Sequence, residues 1–313
     1  MSRRDVVRNG NSEFARAVVS GLSRRPRHIP CRFLYDRRGS ELFEQICRLE
    51  EYYPTRTECA LLARHAGEVA ALIGKPPRLV EFGGCTPAKA RYLFDAARPR
   101  AYLPVDICHE ALTESVLQLA RERPTLPVTP IHADFTRPFR LPAGDGPVLG
   151  FFPGSTIGNM QPAEAVRFLQ RIRRLLGRDG ALLVGVDLKK ADERLFAAYN
   201  DASGVTSAFI LNLIERINRE LHGDFDPAGF AHSALYHAGR GKVEIYIISR
   251  REQIARAAGR SFRFHRGDAI HAEDSHKYSV GEFQSLARQA GLQPAAAWCD
   301  VDRLFSLHFL RPH

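Results

Sequence analysis

Apolar positions along the chain alternate between short continuous runs, typical of buried strands, and stripes spaced at helical period. The predicted strands lie at 78–82, 101–105, 128–131, 148–152 and 181–186. Helices are predicted at 87–97, at 109–122 and over the stretch that carries Val166, Leu169, Ile172 and Leu176. Because strands and helices follow one another through short connections, the pattern predicts an α/β fold with a doubly wound, largely parallel sheet. Strands at 293–299 and 304–309 predict a closing antiparallel hairpin.

The alternation is interrupted between residues 190 and 277, which predicts a second lobe. The segment 190–221 is predicted to be mostly helical, with a core stripe formed by Phe209, Leu213, Ile217 and Leu221. A strand is predicted at 242–249, with 261–265 as its expected partner. Ser279 and Glu282 then form a capping-box pattern, which starts a helix of the main domain.

The residues ahead of the first strand predict two helices separated by an aromatic break. Ser40 precedes the first helical stripe, and Tyr52-Tyr53-Pro54 interrupts it. Thr55 or Thr57 is the expected start of the next helix. The tyrosines are expected either to pack in the core or to line a cleft, because a phenol offers both an apolar face and a hydrogen bond.

The stretch from Leu79 to Asp106 has the order strand, glycine turn, helix, strand and carboxylate, which is the half-unit that binds the adenosine part of a cofactor. Gly83-Gly84 lets the backbone approach a ligand, and Asp106 can accept from both ribose hydroxyls. A dinucleotide site wants a third glycine, which this turn lacks. Glu81 would suit a cationic ligand such as S-adenosylmethionine. The residues favour nucleotide or adenosyl binding, and an ordinary βα turn stays open as the alternative.

Composition places the chain among globular proteins, since 44% of its 313 residues are hydrophobic and 26% are charged. No apolar run reaches the roughly 18 to 20 residues of a membrane span, and the N-terminus lacks the apolar core of a secretory signal. We therefore expect a cytoplasmic protein without membrane contact. The six scattered cysteines are expected to be free thiols, and neither they nor the histidines show the spacing of a metal site.

The net charge of +10 is compatible with nucleic-acid binding. The arginines are spread over amphipathic stretches such as 171–174, however, and no basic run interleaves with aromatic residues. The strand that ends at Phe152 continues as Pro153-Gly154-Ser155, without the Asn/Asp-Pro-Pro-aromatic motif of base amino-methylases. A nucleic-acid methylase or a basic binding module is therefore a disfavoured alternative, and we expect no nucleic-acid partner.

Several ordered motifs resemble the histidine-specific N-alpha-methyltransferases of ergothioneine biosynthesis. They are Phe33-Leu34-Tyr35-Asp36 with Gly39-Ser40, Glu51 to Arg56, Gly154 to Asn159, Ala198 to Asp201 with Gly204 to Thr206, and Ile217 to Leu221. The resemblance implies a Rossmann-like class I methyltransferase sheet with a C-terminal antiparallel hairpin, plus a discontinuous α+β substrate-binding lobe. It implies residues 1–57 and 190–277 for that lobe, and 58–189 and 278–313 for the S-adenosylmethionine-dependent methyltransferase domain.

The resemblance implies that S-adenosylmethionine contacts Gly83, Lys89, Asp106, Asp134 and Phe135. Gly83 would allow close approach, and Asp106 would take the ribose hydroxyls. Asp134 and Phe135 would hold the adenine, and Lys89 would reach the methionyl carboxylate.

The resemblance also implies an amino-acid substrate. Asn159 and Tyr199 would hold its carboxylate, since an amide and a phenol are suitable donors. Tyr35 and the Gly154 carbonyl are the candidates for orienting the amine. The transfer is a displacement at the sulfonium methyl by a neutral amine, so alignment and exclusion of water supply most of the rate. Tyrosine faces suit the growing cation through cation–π contact.

The substrate side chain would face Tyr52, Glu273 and Ser275, with Asp274 beside them. An imidazole N–H requires a hydrogen-bond acceptor, and Glu273 and Ser275 are expected to accept. The expected product is the trimethyl betaine of histidine, hercynine, made by a monomer that acts on a small molecule.

Three departures from the family pattern bear on the substrate, and one of them is the run His276-Lys277-Tyr278 after Ser275, which is bulkier than usual. Cys85 stands where a small residue is expected and would crowd the cofactor, and Ile245 stands where a methionine is expected near the substrate ring. Tryptophan and tyrosine therefore remain alternative substrates. A non-catalytic cofactor-binding relic is disfavoured, because the implied substrate residues are present.

Overall fold

A computed structural model describes residues 3–84 and 86–313, with side chains from residue 12 onward. The α-helices in this part of the chain are α1 (Arg3–Leu22), α2 (Arg37–Ile46), α3 (Tyr53–Ile73), α4 (Ala90–Ala97), α5 (His109–Glu122), α6 (Pro162–Leu176), α7 (Asp192–Tyr199), α8 (Val205–Leu221) and α9 (Val280–Gln289). Its β-strands are β1 (Arg27–His28), β2 (Arg78–Phe82), β3 (Ala101–Asp106), β4 (Ile131–His132), β5 (Val148–Phe152), β6 (Ala181–Asp187), β7 (Phe230–His237), β8 (Lys242–Ser249), β9 (Gln253–Ala257), β10 (Arg260–Phe264), β11 (Ala269–His276), β12 (Leu292–Cys299) and β13 (Phe305–Pro312).

The chain divides into two compact units, one formed by Met1–Tyr52 with Ala191–Asp274 and the other by Tyr53–Lys190 with Ser275–His313. We call the first the insertion unit and the second the sheet unit. The expected boundaries were 57/58, 189/190 and 277/278, and those of the structure lie within a few residues of each. The helices in the described ranges are too short or too polar to cross a membrane.

The sheet unit is built on a seven-stranded sheet with the order β12-β13-β6-β5-β2-β3-β4. Strands β4, β3, β2, β5 and β6 pair in parallel. Strand β13 pairs antiparallel with both β6 and β12. The predicted class I methyltransferase sheet with its C-terminal antiparallel hairpin is confirmed.

Both faces of this sheet are covered, and β2 shows how the sequence achieves it. Leu79 packs in the core under α3 and α4, while the next residue, Val80, packs in the core under α6 and α9. Successive strand residues point to opposite faces, so all residues of a strand covered on both sides are buried and most of them are apolar. The apolar run 78–82 carried that signal, and the predicted strand matches β2. The predicted helix at 109–122 matches α5.

The insertion unit contains α1, α2, α7 and α8 and a four-stranded sheet with the order β1-β11-β8-β7. The predicted stripe on α8 is buried, with Phe209 2% exposed and Leu213 and Ile217 fully buried. The helix begins after Gly204 and the Asp201 carboxylate accepts from the Thr206 N–H at 2.8 Å, which satisfies one of the orphan donors of its first turn.

The predicted partner of the strand at 242–249 was wrong. Strand β8 pairs antiparallel with β7, and β10 pairs with β9 in a separate two-stranded sheet. Ala258 and Gly259 connect β9 to β10 with φ angles of 48° and 73°. Positive φ at both central residues is the geometry of a tight hairpin turn, so β10 folds back on the strand directly before it.

Three predicted element boundaries were also wrong. Helix α2 is capped by Asp36, whose carboxylate accepts from the Gly39 N–H at 2.7 Å, so Ser40 lies inside the helix. Helix α3 begins at Tyr53, ahead of the two threonines expected to start it. The strand expected at 128–131 is reduced to β4, because Pro130 has no N–H to donate to a ladder.

Candidate active site

The glycine turn after β2 has the backbone that a ligand-facing turn requires. Gly83 has a φ of 84°, and among the described residues other than its two chain neighbours no atom lies within 4 Å of the position that a Cβ would take. Its N–H donates to the Val105 carbonyl at 2.9 Å. At Gly84 a Cβ would lie 2.8 Å from the Pro104 Cβ, so this glycine is required for packing against β3. Cys85, expected to crowd the cofactor, lies outside the described residues.

Glu81 is a buried carboxyl at the C-terminal end of β2, only 1% exposed. Burial raises its pKa to about 8, and the hydrogen bond that the Tyr102 hydroxyl donates only partly offsets this. A carboxyl with this pKa is mostly protonated at neutral pH. Glu81 can therefore present a negative charge to a cationic ligand only if the bound ligand lowers this pKa.

Two carboxylates follow the neighbouring strands β3 and β4. Asp106 ends β3, is 8% exposed, and accepts from the Cys108 N–H at 2.8 Å. Asp134 follows β4, and its Oδ1 accepts from the Thr136 N–H at 2.9 Å. Within the described part of the chain, the buried Oδ2 of Asp134 accepts no hydrogen bond, and Arg137 Nε lies 3.4 Å from it. Asp134 thus keeps one acceptor for a ligand donor.

Phe135 packs edge-on against Phe82 and Phe152, with ring centroids 6.5 and 5.5 Å apart. These rings belong to the core under α6, so Phe135 joins the end of β4 to that core. The packing of Phe135 therefore holds the chain in place next to Asp134.

Lys89 lies one residue before α4 and is paired with a carboxylate that no sequence pattern singled out. Its Nζ lies 2.5 Å from Glu58 Oε2, on α3. Glu58 is fully buried, and both of its oxygens accept from the Gly154 N–H, at 2.9 and 3.0 Å. The structure thus brings two predicted residues, Lys89 and Gly154, to one buried carboxylate. Glu58 is one of two glutamates in this helix, and its position carries no pattern from which the pairing could be predicted.

The loop after β5 is held in an unusual backbone conformation. Gly154 and Ser155 have φ angles of 79° and 56°. The Ser155 hydroxyl accepts from the Asp187 N–H at 2.9 Å, and a Cβ at Gly158 would lie 2.6 Å from the His276 carbonyl oxygen. Asn159, half-buried, ends the 3₁₀ helix Thr156–Asn159. The loop that carries two predicted substrate residues is therefore fixed by its neighbours on both sides.

Ser275 is 5% exposed and accepts a hydrogen bond from Lys277 Nζ at 2.8 Å. Lys277 is in turn 2.6 Å from Asp187 Oδ2. Asp187 also accepts from the Tyr53 hydroxyl at 2.8 Å and from Lys190 Nζ at 2.5 Å. We call Tyr53, Asp187, Lys190 and Lys277 the Asp187 cluster. Sequence reasoning missed it, because its members are joined only by the fold.

In the insertion unit, the predicted tyrosines lie within one group of aromatic rings. Tyr52 and Tyr199 meet edge-on at 6.4 Å between centroids, and Tyr52 lies 6.2 Å from Phe43. Phe43 contacts Tyr35 at 5.6 Å, and Phe209 on α8 contacts both of them. The sequence assigned Phe43 and Phe209 to helix cores only. We call these five residues the aromatic group.

Glu273 acts on the aromatic group through its negative charge. The pKa of the Tyr35 phenol is raised well above its usual range, first by burial and then by the negative charge of Glu273. Burial and Glu273 together also raise the pKa of the Cys31 thiol to about 12. Tyr35, Tyr52, Tyr199 and Glu273 are therefore neighbours within the insertion unit.

Asp274 has a different environment. Its Oδ1 accepts from His271 at 3.0 Å and from Lys242 at 3.1 Å. Burial alone would raise its pKa, but these hydrogen bonds and the charges behind them hold it down at about 2. Successive residues of a strand face opposite sides, so Asp274 turns away from the side that Glu273 faces. Ile245, on β8, is 1% exposed and is paired in register with Ala234.

The comparison with known proteins identifies the family. A model of the histidine-specific, S-adenosylmethionine-dependent methyltransferases matches residues 14–312. The chain belongs to this family. It is 36% identical over 298 residues to the histidine N-alpha-methyltransferase of Mycolicibacterium smegmatis, a match that covers 93% of this chain and 92% of the relative.

Two further relatives extend this finding. The histidine N-alpha-methyltransferase of Mycobacterium tuberculosis is 35% identical over 305 residues, which covers 95% of this chain and 94% of the relative. The ergothioneine biosynthesis protein 1 of Neurospora crassa is 30% identical over 302 residues, which covers 91% of this chain and 33% of the relative. The resemblance read from the motifs is confirmed, as are the methyltransferase activity and the S-adenosylmethionine cofactor.

The residues of the sheet unit fit that cofactor. None of the described residues beyond its chain neighbours fills the side of Gly83 where a Cβ would stand, as close approach of a ligand requires. The Asp134 Oδ2, which accepts no hydrogen bond from the described residues, is an acceptor of the kind that an adenine amino group needs. Within residues 3–84 and 86–313, no group of three histidine, cysteine or acidic side chains is placed to hold a metal ion.

Proposed function

We propose that this histidine methyltransferase acts on the α-amino group of free L-histidine and transfers up to three methyl groups to it. The product is then the trimethyl betaine, hercynine, as in ergothioneine biosynthesis. The relatives described above are named for N-alpha methylation of histidine or for ergothioneine biosynthesis. The enzyme is proposed to act as a monomer, which size-exclusion chromatography with light scattering tests.

The observation that carries this proposal is the aromatic group with Glu273 as its charged neighbour. Aromatic faces stabilise a quaternary ammonium through cation–π attraction, and a carboxylate accepts from an imidazole N–H. Tyrosine rings beside a carboxylate therefore suit a ligand that carries both an imidazole and a methylated ammonium. A hydrophobic amine whose side chain lacks an N–H or O–H would donate no hydrogen bond to the carboxylate.

The proposed roles divide the substrate into three parts. The carboxylate is bound by Asn159 and Tyr199, and the ring by Tyr52, Glu273 and Ser275. The amine is oriented by Tyr35 and the Gly154 carbonyl. Asp274 is not among the proposed ring contacts, because its carboxylate already accepts hydrogen bonds from His271 and Lys242.

The cofactor is proposed to lie along the ends of β2, β3 and β4. Gly83 takes the closest approach, Asp106 accepts from the ribose hydroxyls, and Asp134 with Phe135 holds the adenine. Lys89 would reach the methionyl carboxylate while it stays paired with Glu58. The sheet unit would then bind the cofactor, and the insertion unit would supply most of the substrate contacts.

The chemistry needs a neutral amine whose lone pair attacks the sulfonium methyl carbon. The new N–C bond forms as the S–C bond breaks, and the sulfur keeps the electron pair as S-adenosylhomocysteine. The first two transfers are each followed by loss of a proton from nitrogen, and the third leaves a quaternary cation that has no proton to lose. The residues have to orient the amine and exclude water, and they need no strong base.

Mass spectrometry of reactions with S-adenosylmethionine and a panel of amino acids tests the proposal. The panel is L-histidine, its N-alpha-methyl and dimethyl derivatives, L-tryptophan and L-tyrosine. We expect trimethylhistidine from the first three and no product from the others. Methylation of tryptophan would mean that Ile245 and its neighbours admit a larger ring, and transfer to none of these substrates would refute the proposal.

A pair of variants connects the assay to the site. Glu273→Gln removes the charge that the imidazole N–H is proposed to meet, and we expect kcat/KM for histidine to fall by about tenfold to a hundredfold, the worth of a hydrogen bond to a charged group. Glu215→Gln, which changes an exposed glutamate on α8 of the same unit, should leave kcat/KM unchanged. Equal losses in the two variants would contradict the role of Glu273.

A further inference from the structure

Glu58 occupies a position of α3 where the helix otherwise buries apolar side chains. Leu61 and Leu62, three and four residues after it, face the core, and Glu58 itself is fully buried. Strand β6 has room for the carboxylate because residue 185 is glycine, since a Cβ there would lie 2.0 Å from Glu58 Oε1. A glycine inside a strand and a charge inside the core both cost stability. Their meeting at one point indicates a role for the carboxylate that an apolar side chain could not fulfil.

The Gly154 N–H fixes the orientation of this carboxylate. It donates to both oxygens, at 2.9 and 3.0 Å. Hydrogen bonds from a backbone N–H to a carboxylate are stronger than those between neutral groups. The loop that carries Gly154 is itself held at the next residue, where Ser155 Oγ accepts from the Asp187 N–H at 2.9 Å. The Glu58 carboxylate therefore has a fixed place beside the loop that follows β5.

Lys89 is held by the carboxylate in this orientation. Its Nζ lies 2.5 Å from Glu58 Oε2 and 3.6 Å from the position that a Cβ of Gly154 would take. A lysine side chain that is not held samples many rotamers, and a ligand that needs one of them has to overcome that loss of freedom. The pair with Glu58 fixes the ammonium before any ligand binds. An ammonium carries three N–H donors, so it can contact more than one acceptor.

We infer that Glu58 is a positioning residue of the cofactor site, which holds the Lys89 ammonium where it meets the methionyl carboxylate of S-adenosylmethionine. This inference rests on the proposed function, in which Lys89 contacts that carboxylate. Glu58 then acts on the cofactor through Lys89, and its own carboxylate does not have to touch the ligand. The alternative is that Glu58 only neutralises the ammonium. Its charge would then weaken the attraction of Lys89 for the cofactor carboxylate, and removing that charge would tighten cofactor binding.

The test compares two ligands that differ in the carboxylate alone. They are S-adenosylhomocysteine and its decarboxylated analogue, and the dissociation constant of each is measured by calorimetry on the full chain. The constant of the analogue divided by that of the parent ligand reports what the carboxylate contributes. General damage to the fold weakens both ligands and cancels in this ratio. For the wild type we expect a ratio of about 10 to 100, the worth of a hydrogen bond between charged groups.

Variants of Glu58 and Lys89 assign the ratio to the pair. Lys89→Met should bring the ratio close to one, and Glu58→Gln should lower it to below about three. An amide has a single oxygen, so when that oxygen accepts from the Gly154 N–H, the NH2 group faces the Lys89 ammonium and two donors meet. The double variant should show the ratio of Lys89→Met alone, because residues that act through one another are not additive.

A further variant separates position from charge. Glu58→Asp keeps the negative charge but withdraws it from Lys89 by one methylene, and we expect the ratio to fall at least about threefold. This variant also tests the inference if Glu58→Gln fails to fold. Glu122→Gln is the matched control, because it removes another carboxylate that is paired with α4, through Arg91 at 2.5 Å. It should keep the wild-type ratio.

The outcomes separate this inference from the proposed function. A ratio near one in the wild type, or a ratio that Lys89→Met leaves unchanged, would overturn the proposed contact of Lys89 with the cofactor, and this inference with it. If Lys89→Met abolishes a large ratio, the contact is supported. An unchanged or increased ratio in Glu58→Gln or in Glu58→Asp would then overturn the positioning role alone.

Discussion

The Glu58 carboxylate accepts from the Gly154 N–H through both of its oxygens, at 2.9 and 3.0 Å. The same carboxylate holds Lys89, and a Cβ at Gly185 would lie 2.0 Å from its Oε1. The buried Glu58 side chain of α3 thus contacts the loop after β5, the residue before α4, and β6 at Gly185, which has no side chain. The conformation of the Gly154 loop therefore depends on a residue far from it in sequence.

Removing the charge of Glu58 should loosen this connection. In Glu58→Gln the Lys89 ammonium loses this ion pair, which we expect to lower stability by about 2 kcal/mol, less than the 3–5 kcal/mol of a fully buried pair because the Lys89 side chain is 17% exposed. Thermal unfolding measures the effect, and Glu114→Gln, an exposed change on α5, is the matched control. An unchanged midpoint for Glu58→Gln would show that the pair contributes nothing.

The two glycines after β2 should respond differently to alanine. In Gly83→Ala the added methyl meets no atom of the described residues beyond its chain neighbours within 4 Å, but the residue keeps a φ of 84°, so we expect a modest loss of about 1 kcal/mol in stability. Its larger effect should be on the cofactor, with at least a tenfold weaker affinity for S-adenosylhomocysteine, because the added methyl enters the open space beside the turn.

Gly84→Ala should show the opposite balance, since its Cβ would lie 2.8 Å from the Pro104 Cβ. We expect the thermal midpoint to fall further than in Gly83→Ala. Calorimetry with S-adenosylhomocysteine and a melting curve on each variant check both statements. If Gly83→Ala binds the cofactor as tightly as the wild type, the cofactor does not approach this turn.

The sequence predicted the sheet unit well because its signals are local. Apolar runs such as 148–152 and 181–186 correspond to β5 and β6, and the capping box of Ser279 and Glu282 is present at the start of α9. In the insertion unit, strand pairing depends on which partners meet across the sheet. The pattern around 242–265 therefore predicted two strands but paired them wrongly.

The residues of the candidate site also fall into those that a local sequence signal marks and those that only the fold brings together. Gly83 and Asp106 could be named from the order of a glycine turn and a carboxylate, a motif in one stretch of chain. Glu58 and Lys277 could not, because their partners Gly154 and Asp187 are brought to them only by the fold. A buried charge has no periodicity that marks it, and its partner has none either.

Asp134 should contribute to cofactor affinity through its Oδ2, which accepts no hydrogen bond from the described residues. We expect Asp134→Ala to weaken S-adenosylhomocysteine binding by about tenfold to a hundredfold, the worth of a hydrogen bond to a charged acceptor. Asp145→Ala, an exposed aspartate in the loop before β5, should have no effect. The analogue with purine in place of adenine has only hydrogen at position 6 and cannot donate to Asp134, so it should bind wild type and Asp134→Ala alike. A loss with the analogue as large as with the parent ligand would contradict the proposed contact.

Glu81 should make the stability of the enzyme fall as pH rises. Its folded-state pKa of about 8 lies above the ordinary value of 4.5, because the carboxyl is buried. Between these two values the folded chain keeps a proton that the unfolded chain has released, so unfolding is favoured increasingly up to pH 8. Glu81→Gln removes the titrating group, while its amide oxygen can still accept from the Tyr102 hydroxyl.

Melting curves of wild type and Glu81→Gln between pH 4.5 and 9 should therefore diverge. Near pH 4.5 the two midpoints should be similar, and above pH 8 the variant should be the more stable, by a few kcal/mol, on the order expected for a shift of several pKa units. Glu114→Gln should track the wild type throughout, because its carboxylate is exposed. If Glu81→Gln proves less stable than the wild type at pH 9, the carboxylate must be stabilised in its ionised form, and Glu81 would then present a charge to the cofactor without any change in its protonation.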